Sequence, residues 1–195
     1  MTLFDLLFIA LFLTAAVTLL VAAGSALLGR LAKAGRILRR LGLGVLAYML
    51  LVVAASLATP RRFLGIGEDQ CSDDWCIAVA QATHTPAGDS VDWQLTFRLT
   101  SHMGRGFQRE LGVVAYLRDS QGRRYDPIGG PDGPPFDVRL APQQQLTTIR
   151  HFRVPLDVRD LGLIVSKEGG PPDPGCCIIG GEGSLLHKRT VVRLD

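Results

Sequence analysis

The chain has 195 residues, 47% hydrophobic and 20% charged, with a formal net charge of +3. That charge divides unevenly: residues 1–62 carry +6 and residues 63–195 carry −3. A nucleic-acid binder needs its basic surface on a folded domain. Here the basic residues cluster between apolar runs and the remainder is mildly acidic, which excludes that class.

No charged side chain occurs from Leu6 to Gly29, nor from Leu41 to Pro60. About 20 apolar residues of helix cross a hydrocarbon layer about 30 Å thick, so the two runs predict membrane spans over about 6–29 and 41–60. A soluble core helix would carry charges on its outer face. Ala15, Ala16, Ala22, Ala23, Gly24 and Ser25 in the first run, and Gly42, Gly44, Ala47, Ala54 and Ala55 in the second, suit close approach of two helices as well as plain lipid contact. A cleaved signal peptide fits the first run poorly, because Met1-Thr2-Leu3-Phe4-Asp5 is no basic leader and the apolar core is too long. No Cys follows that could carry a lipoprotein anchor.

Between the spans lie Arg30, Lys33, Arg36, Arg39 and Arg40. Basic clusters stay in the cytoplasm, so residues 30–40 are expected as a cytoplasmic loop and both termini outside the cytoplasm. Arg61 and Arg62 weaken this asymmetry without reversing it. The same cluster is also suited to anionic lipid. Residues 1–62 thus read as a transmembrane hairpin and 63–74 as a juxtamembrane linker, which leaves 75–195 as an extracytoplasmic domain.

From Trp75 the period becomes two. In Val91-Asp92-Trp93-Gln94-Leu95-Thr96-Phe97-Arg98-Leu99-Thr100 apolar residues occupy every odd position, the mark of a strand with one buried face. Val113, Ala115 and Leu117 form the next, ending at Asp119-Ser120-Gln121-Gly122, whose glycine suits the positive φ of a hairpin. Arg124-Tyr125 answers it. The stretch Gly129-Gly130-Pro131-Asp132-Gly133-Pro134-Pro135 reads as a loop. Strands follow at Phe136–Leu140 and Leu146–Val154 around Ala141-Pro142-Gln143. Ile149 is out of phase with Phe152 and Val154, which suggests a bulge. Leu161, Leu163 and Val165 make another strand; a Pro/Gly loop over 169–175 leads to Cys176-Cys177-Ile178-Ile179, and 190–194 close the series. Seven or eight short strands without helical period predict an all-β antiparallel sandwich of immunoglobulin-like type.

The hairpin Asp119-x-x-Gly122-x-x-Tyr125, the turn Leu140-Ala141-Pro142 and the strand end Phe152-Arg153-Val154-Pro155 resemble the membrane-anchored immunoglobulin-like domains of many bacterial envelope proteins of unknown function. The resemblance covers about 75–195. It departs at Gln143, where such turns carry glycine. It implies an extracytoplasmic binding or accessory module, and it brings no active-site residues with it.

All four cysteines, Cys71, Cys76, Cys176 and Cys177, fall in the outer part, an even count suited to disulfides in an oxidising compartment. Adjacent cysteines rarely bond each other, so crosslinks between the 71/76 and 176/177 pairs are favoured, with a local Cys71–Cys76 bond as a third option. Loops of about 100 residues would yield roughly 4 to 5 kcal/mol per bond in the entropic account. The alternative is a thiol redox or metal sensor built on the four, against which stand the Cys71–Cys76 spacing and the carboxylates of Asp73 and Asp74 beside the first thiol. Asp73 and Asp74 lack calcium-loop spacing. His84, His102, His151 and His187 share no ligand spacing. Ser72, Ser90 and Ser101 lack a nucleophile elbow, and Gly65-Ile66-Gly67 follows no strand. Trp75 and Trp93 read as core. The expectation is therefore a non-enzymatic module without cofactor or metal, anchored in the bacterial cytoplasmic membrane. Its partners would be the bilayer and another envelope protein.

Overall fold

The computed structural model describes residues 3–168, 186 and 188–194. The chain divides into two compact units, one holding the helices and the other the strands.

The helical unit contains α1, Leu3–Leu27, and α2, Leu31–Ala58, each long and apolar enough to cross a membrane. At about 1.5 Å per residue they measure about 37 and 42 Å. The turn between them is only Leu28-Gly29-Arg30. Gly29 takes φ +73°, its N–H reaches Ala26 O at 2.9 Å, and the Arg30 N–H reaches Ser25 O at 2.9 Å, so glycine closes α1 in a left-handed cap. The cytoplasmic loop expected over 30–40 is therefore not a loop. Lys33, Arg36, Arg39 and Arg40 lie in the first turns of α2, because lysine, arginine, leucine and alanine are all good helix formers and no proline interrupts them. The positions buried nearest the turn are small, Ala22, Ser25 and Ala34. Thr14 and Thr18 donate their hydroxyls to the carbonyls of Ala10 and Thr14 at 2.8 and 2.7 Å, leaving no polar side-chain proton facing outward there. At the far end Thr59 caps Ala55 O at 2.8 Å, and Lys188 Nζ donates to the carbonyls of Leu57 and Thr59 at 3.1 and 3.2 Å. Pro60 then stops the helix.

The other unit is a β-sandwich of two five-stranded sheets. Its strands are β1 Phe63–Leu64, β2 Gln70–Ser72, β3 Trp75–Ala87, β4 Ser90–Ser101, β5 Val113–Arg118, β6 Arg124–Tyr125, β7 Ile128–Asp132, β8 Gln145–Pro155, β9 Gly162–Lys167 and β10 Val191–Arg193. One sheet runs β1-β10-β9-β5-β6 and the other β2-β3-β4-β8-β7. All pairs are antiparallel except β1 with β10, which run parallel, so the expected purely antiparallel sandwich is corrected at that edge. The stretch 63–74, expected as linker, supplies β1 and β2 to the sandwich.

The core follows the odd positions of β4: Leu95, Phe97 and Leu99 are fully buried. Facing strands add Ala115, Leu117, Leu163 and Val165. In β3 the register slips by one residue between Val79 and Gln81, so Ile77 and Val79 point inward before the bulge and Ala82 packs on the core after it.

Three local expectations are revised. Residues 129–132, placed in a glycine-proline loop, form with Ile128 the edge strand β7, which pairs with β8 at Ile128↔His151 and Asp132↔Ile149 through an irregular register. Gly129 supplies φ +71°, and Pro131 is tolerated because an edge strand has one unpaired side. Residues 136–140 are not a strand. Phe136 and Leu140 are buried in the core from an irregular segment whose one ladder-type pairing is an isolated Gln108↔Leu140 bridge outside both sheets. The bulge expected in β8 is absent from its pairing with β4, which is in continuous register from Ser90↔Pro155 to Thr100↔Gln145. Its inward positions are even, and two of them, Thr148 and Arg150, are polar yet buried.

Gln143, where the resemblance would place glycine, takes φ +58°. Its Nε2 donates to the carbonyls of His102 and Met103, both at 3.1 Å, which offsets the left-handed backbone.

Candidate functional site

Among the described cysteines, Cys71 and Cys76 are joined by a disulfide, with Cα atoms 4.0 Å apart. The cause is local. Asp73 takes φ 53° in the Asp73-Asp74 turn, folding β2 onto β3 so that Cys71 and Cys76 stand directly opposite. The favoured crosslinks from this pair to Cys176 and Cys177 are thereby replaced by the third option; Cys176 and Cys177 lie outside the described residues. Closing so short a ring is worth about 2 kcal/mol in the entropic account. A four-thiol sensor loses half its ligands, because Cys71 and Cys76 are consumed in the bond. Asp73 and Asp74 are turn residues. No group of three or more His, Cys, Asp or Glu able to hold a metal occurs among the described residues.

On α2, Lys33, Arg36 and Arg40 follow a spacing of three and four and share one side of the helix, while Arg39 lies round from it. All four are exposed. Trp75 is buried at 3%, and Trp93 is half-buried against the His84 ring at 4.7 Å. His151 Nε2 lies 2.8 Å from Asp132 Oδ2 on the outside of β7 and β8. The histidines therefore stay apart, His187 lying outside the described residues.

Three charged clusters stand out among the described residues of the sandwich. In the β5–β6 hairpin, Gly122 takes φ +86° and the buried Asp119 carboxylate organises the turn. Arg123 donates to it from its main-chain N–H at 2.8 Å and from Nε at 2.6 Å, and Tyr125 donates its hydroxyl at 3.1 Å. Burial pushes this carboxyl up, but the hydrogen bonds from Arg123 and Tyr125 outweigh it and hold the pKa below its ordinary value. The spacing Asp119-x-x-Gly122-x-x-Tyr125 is thus a folding device.

On the outer side of the β1-containing sheet, Tyr116 is buried between two guanidinium groups. Arg124 lies 4.0 Å over its ring and Arg189 donates to its hydroxyl. Glu168 accepts from Arg124 at 2.7 Å and lies 3.7 Å from Arg189, and Asp126 binds Arg124 on the other side at 2.8 Å. Hydrogen bonds from these carboxylates keep Arg124 charged, above its ordinary pKa.

The third cluster escaped sequence reasoning. Arg150 points into the sandwich, 7% exposed, with its guanidinium 4.2 Å over the Phe136 ring. It donates to Thr148 Oγ1 at 2.6 Å, Ile149 O at 2.8 Å and Pro134 O at 3.4 Å. Thr148 donates onward to Pro134 O at 2.7 Å. Burial lowers the Arg150 pKa and the field of Asp132 opposes this. The signal was available: Arg150 is in phase with Phe152 and Val154. The arrangement ties the irregular 133–136 segment to β8. It offers neither a nucleophile nor a general base beside a cavity.

No family model matches the chain, and no curated protein does. Solved structures do resemble it. An uncharacterised β-sandwich protein from Clostridium difficile is 12% identical over 70% of this chain and 96% of its own, with a TM-score of 0.44. MPT63, a secreted protein of Mycobacterium tuberculosis, is 13% identical over 70% of this chain and 99% of its own, with a TM-score of 0.44. The yjhA protein of Bacillus subtilis is 12% identical over 68% of this chain and 99% of its own, with a TM-score of 0.40.

Proposed function

We propose that the chain is a non-enzymatic, membrane-anchored module of the bacterial envelope, whose sandwich faces the extracytoplasmic side and engages another envelope protein. The observation that carries this reading is the Cys71–Cys76 disulfide in a sandwich that follows two apolar helices. Such bonds persist in oxidising compartments and are rare in the cytosol. The basic residues at the start of α2 support the same orientation, since they would sit at the cytoplasmic face.

The immunoglobulin-like assignment draws support from strand order. The sequence β3-β4-β8-β7 in one sheet and β10-β9-β5 in the other corresponds to the A-B-E-D and G-F-C arrangement, with β6 as an added edge. A fold of this kind leaves the partner open.

The test has two arms. Membranes extracted under alkylation without reductant are expected to return Cys71 and Cys76 as one disulfide-linked peptide; two alkylated thiols would overturn the orientation. In vivo photo-crosslinking from sandwich surface positions is expected to yield one recurrent envelope protein. Adducts limited to lipid would remove the interaction.

A further inference from the structure

We propose that the β1–β10 edge of the sandwich is a seat for anionic phospholipid headgroups, built by Arg61, Arg62 and Phe63 together with Arg193. The inference rests on the membrane-anchored reading above. Phe63 is 49% exposed and Ile66 43% exposed, an aromatic and an aliphatic side chain open together at the start of the domain. Arg61 and Arg62 precede them in sequence and are exposed. The fold adds a third cation from far along the chain. Phe63 pairs with Val191 in the parallel ladder, the Val191 N–H binds Arg62 O at 3.0 Å, and the Arg193 guanidinium stands 4.6 Å over the Phe63 ring. None of the ion pairs among the described residues uses Arg61, Arg62 or Arg193.

The occupant follows from chemistry and chain length. Guanidinium groups bind phosphate oxygens in a fork, and aromatic rings with basic residues settle at headgroup depth. Residues 59–62 are all that separates the last residue of α2 from Phe63. Extended, that chain spans at most about 18 Å. An anchored α2 therefore keeps Phe63 within reach of the lipid surface at all times, a standing local concentration that no soluble anion has. The seat is thus assigned to phosphodiester headgroups of the bilayer in which the chain is held.

The test reconstitutes the full chain in nanodiscs of phosphatidylcholine mixed with phosphatidylglycerol, with benzoylphenylalanine replacing Phe63. Leu50, inside α2, and Leu156, exposed on the sandwich, serve as control positions. Light is expected to yield lipid adducts at 63 enriched in phosphatidylglycerol over its share of the membrane, and none at 156. Arg61→Gln with Arg62→Gln, and separately Arg193→Gln, should each lower that enrichment, by about fivefold per charge, the worth of one basic residue at an anionic surface. The first pair lies outside the strands, so its loss spares the fold. Adducts at 50 but not at 63 would overturn the seat and leave the anchor standing. Adducts at neither would overturn the anchored reading itself. Enrichment unchanged by the arginine substitutions, or a protein adduct at 63, would also end the proposal.

Discussion

β4 and β8 are neighbours in continuous register and face the same core, yet they fill it in opposite ways. β4 turns Leu95, Phe97 and Leu99 inward. β8 turns Thr148, Arg150 and Phe152 inward. The first strand stabilises by removing apolar area from water. The second spends two core positions on polar groups that stay viable because the Thr148 hydroxyl and both terminal nitrogens of Arg150 meet oxygens and the guanidinium lies on the Phe136 ring. What β8 gains is control of an irregular segment: Pro134 O accepts from both Thr148 and Arg150, so 133–136 is held where no ladder reaches it.

The contrast can be broken at its apolar side first. Phe97→Ala removes a fully buried ring that also meets Phe136 edge-on at 5.1 Å, and should cost about 3–5 kcal/mol in chemical denaturation. Arg150→Ala should cost less, about 3 kcal/mol, through lost packing on Phe136 and lost donors. Arg150→Met sharpens the point. If Arg150 acts mainly by filling space, methionine should hold stability within about 1.5 kcal/mol of the wild type, while proteolysis at 133–136 should rise in both variants. A methionine variant as unstable as the alanine one would make the hydrogen bonds decisive.

Acid should separate the strands from the β5–β6 hairpin. Asp119 has a folded pKa below its ordinary value, so its stabilising contribution is whole above the unfolded value, about 4. It is lost as pH falls from there through the lower folded value. Asp119→Asn should flatten that acid limb of the stability profile, whereas Arg150→Met should leave its shape alone. The smallest effect is expected outside the core: Arg153→Ala, which breaks a solvent-facing pair with Asp92, should leave the unfolding midpoint unchanged within error.

How far sequence reached depended on whether pattern and chemistry agreed. β4 was readable because all its inward residues are apolar, and the Asp119–Gly122 turn because Gly122 does what the spacing requires. β8 was half readable: polar residues in the correct phase disguised the regular strand as a bulged one. β7 was hidden because glycine and proline mark loops unless an edge strand needs few hydrogen bonds. Phe136, Val138 and Leu140 showed a false period of two, since apolar residues also reach a core from irregular chain. The cysteine pairing was missed because entropy favours long loops while geometry, set by the Asp73-Asp74 turn, favoured the nearest neighbour. The Arg193–Phe63 contact could not be read at all, being a product of the parallel β1–β10 ladder.

That ladder also sets an order of events. β10 lies between β1 and β9, so one sheet has a gap in its interior until Val191–Arg193 arrive. Phe63 and Leu64, made early, have no partner until Val191 and Val192 exist. Until then β9 keeps one unpaired edge and Leu64 has no ladder to hold it in the core. Truncation before Val191 would therefore not trim a tail. It would cut β1 away from its sheet and leave the edge of β9 unpaired, which makes this short segment the latch of the domain's first strand.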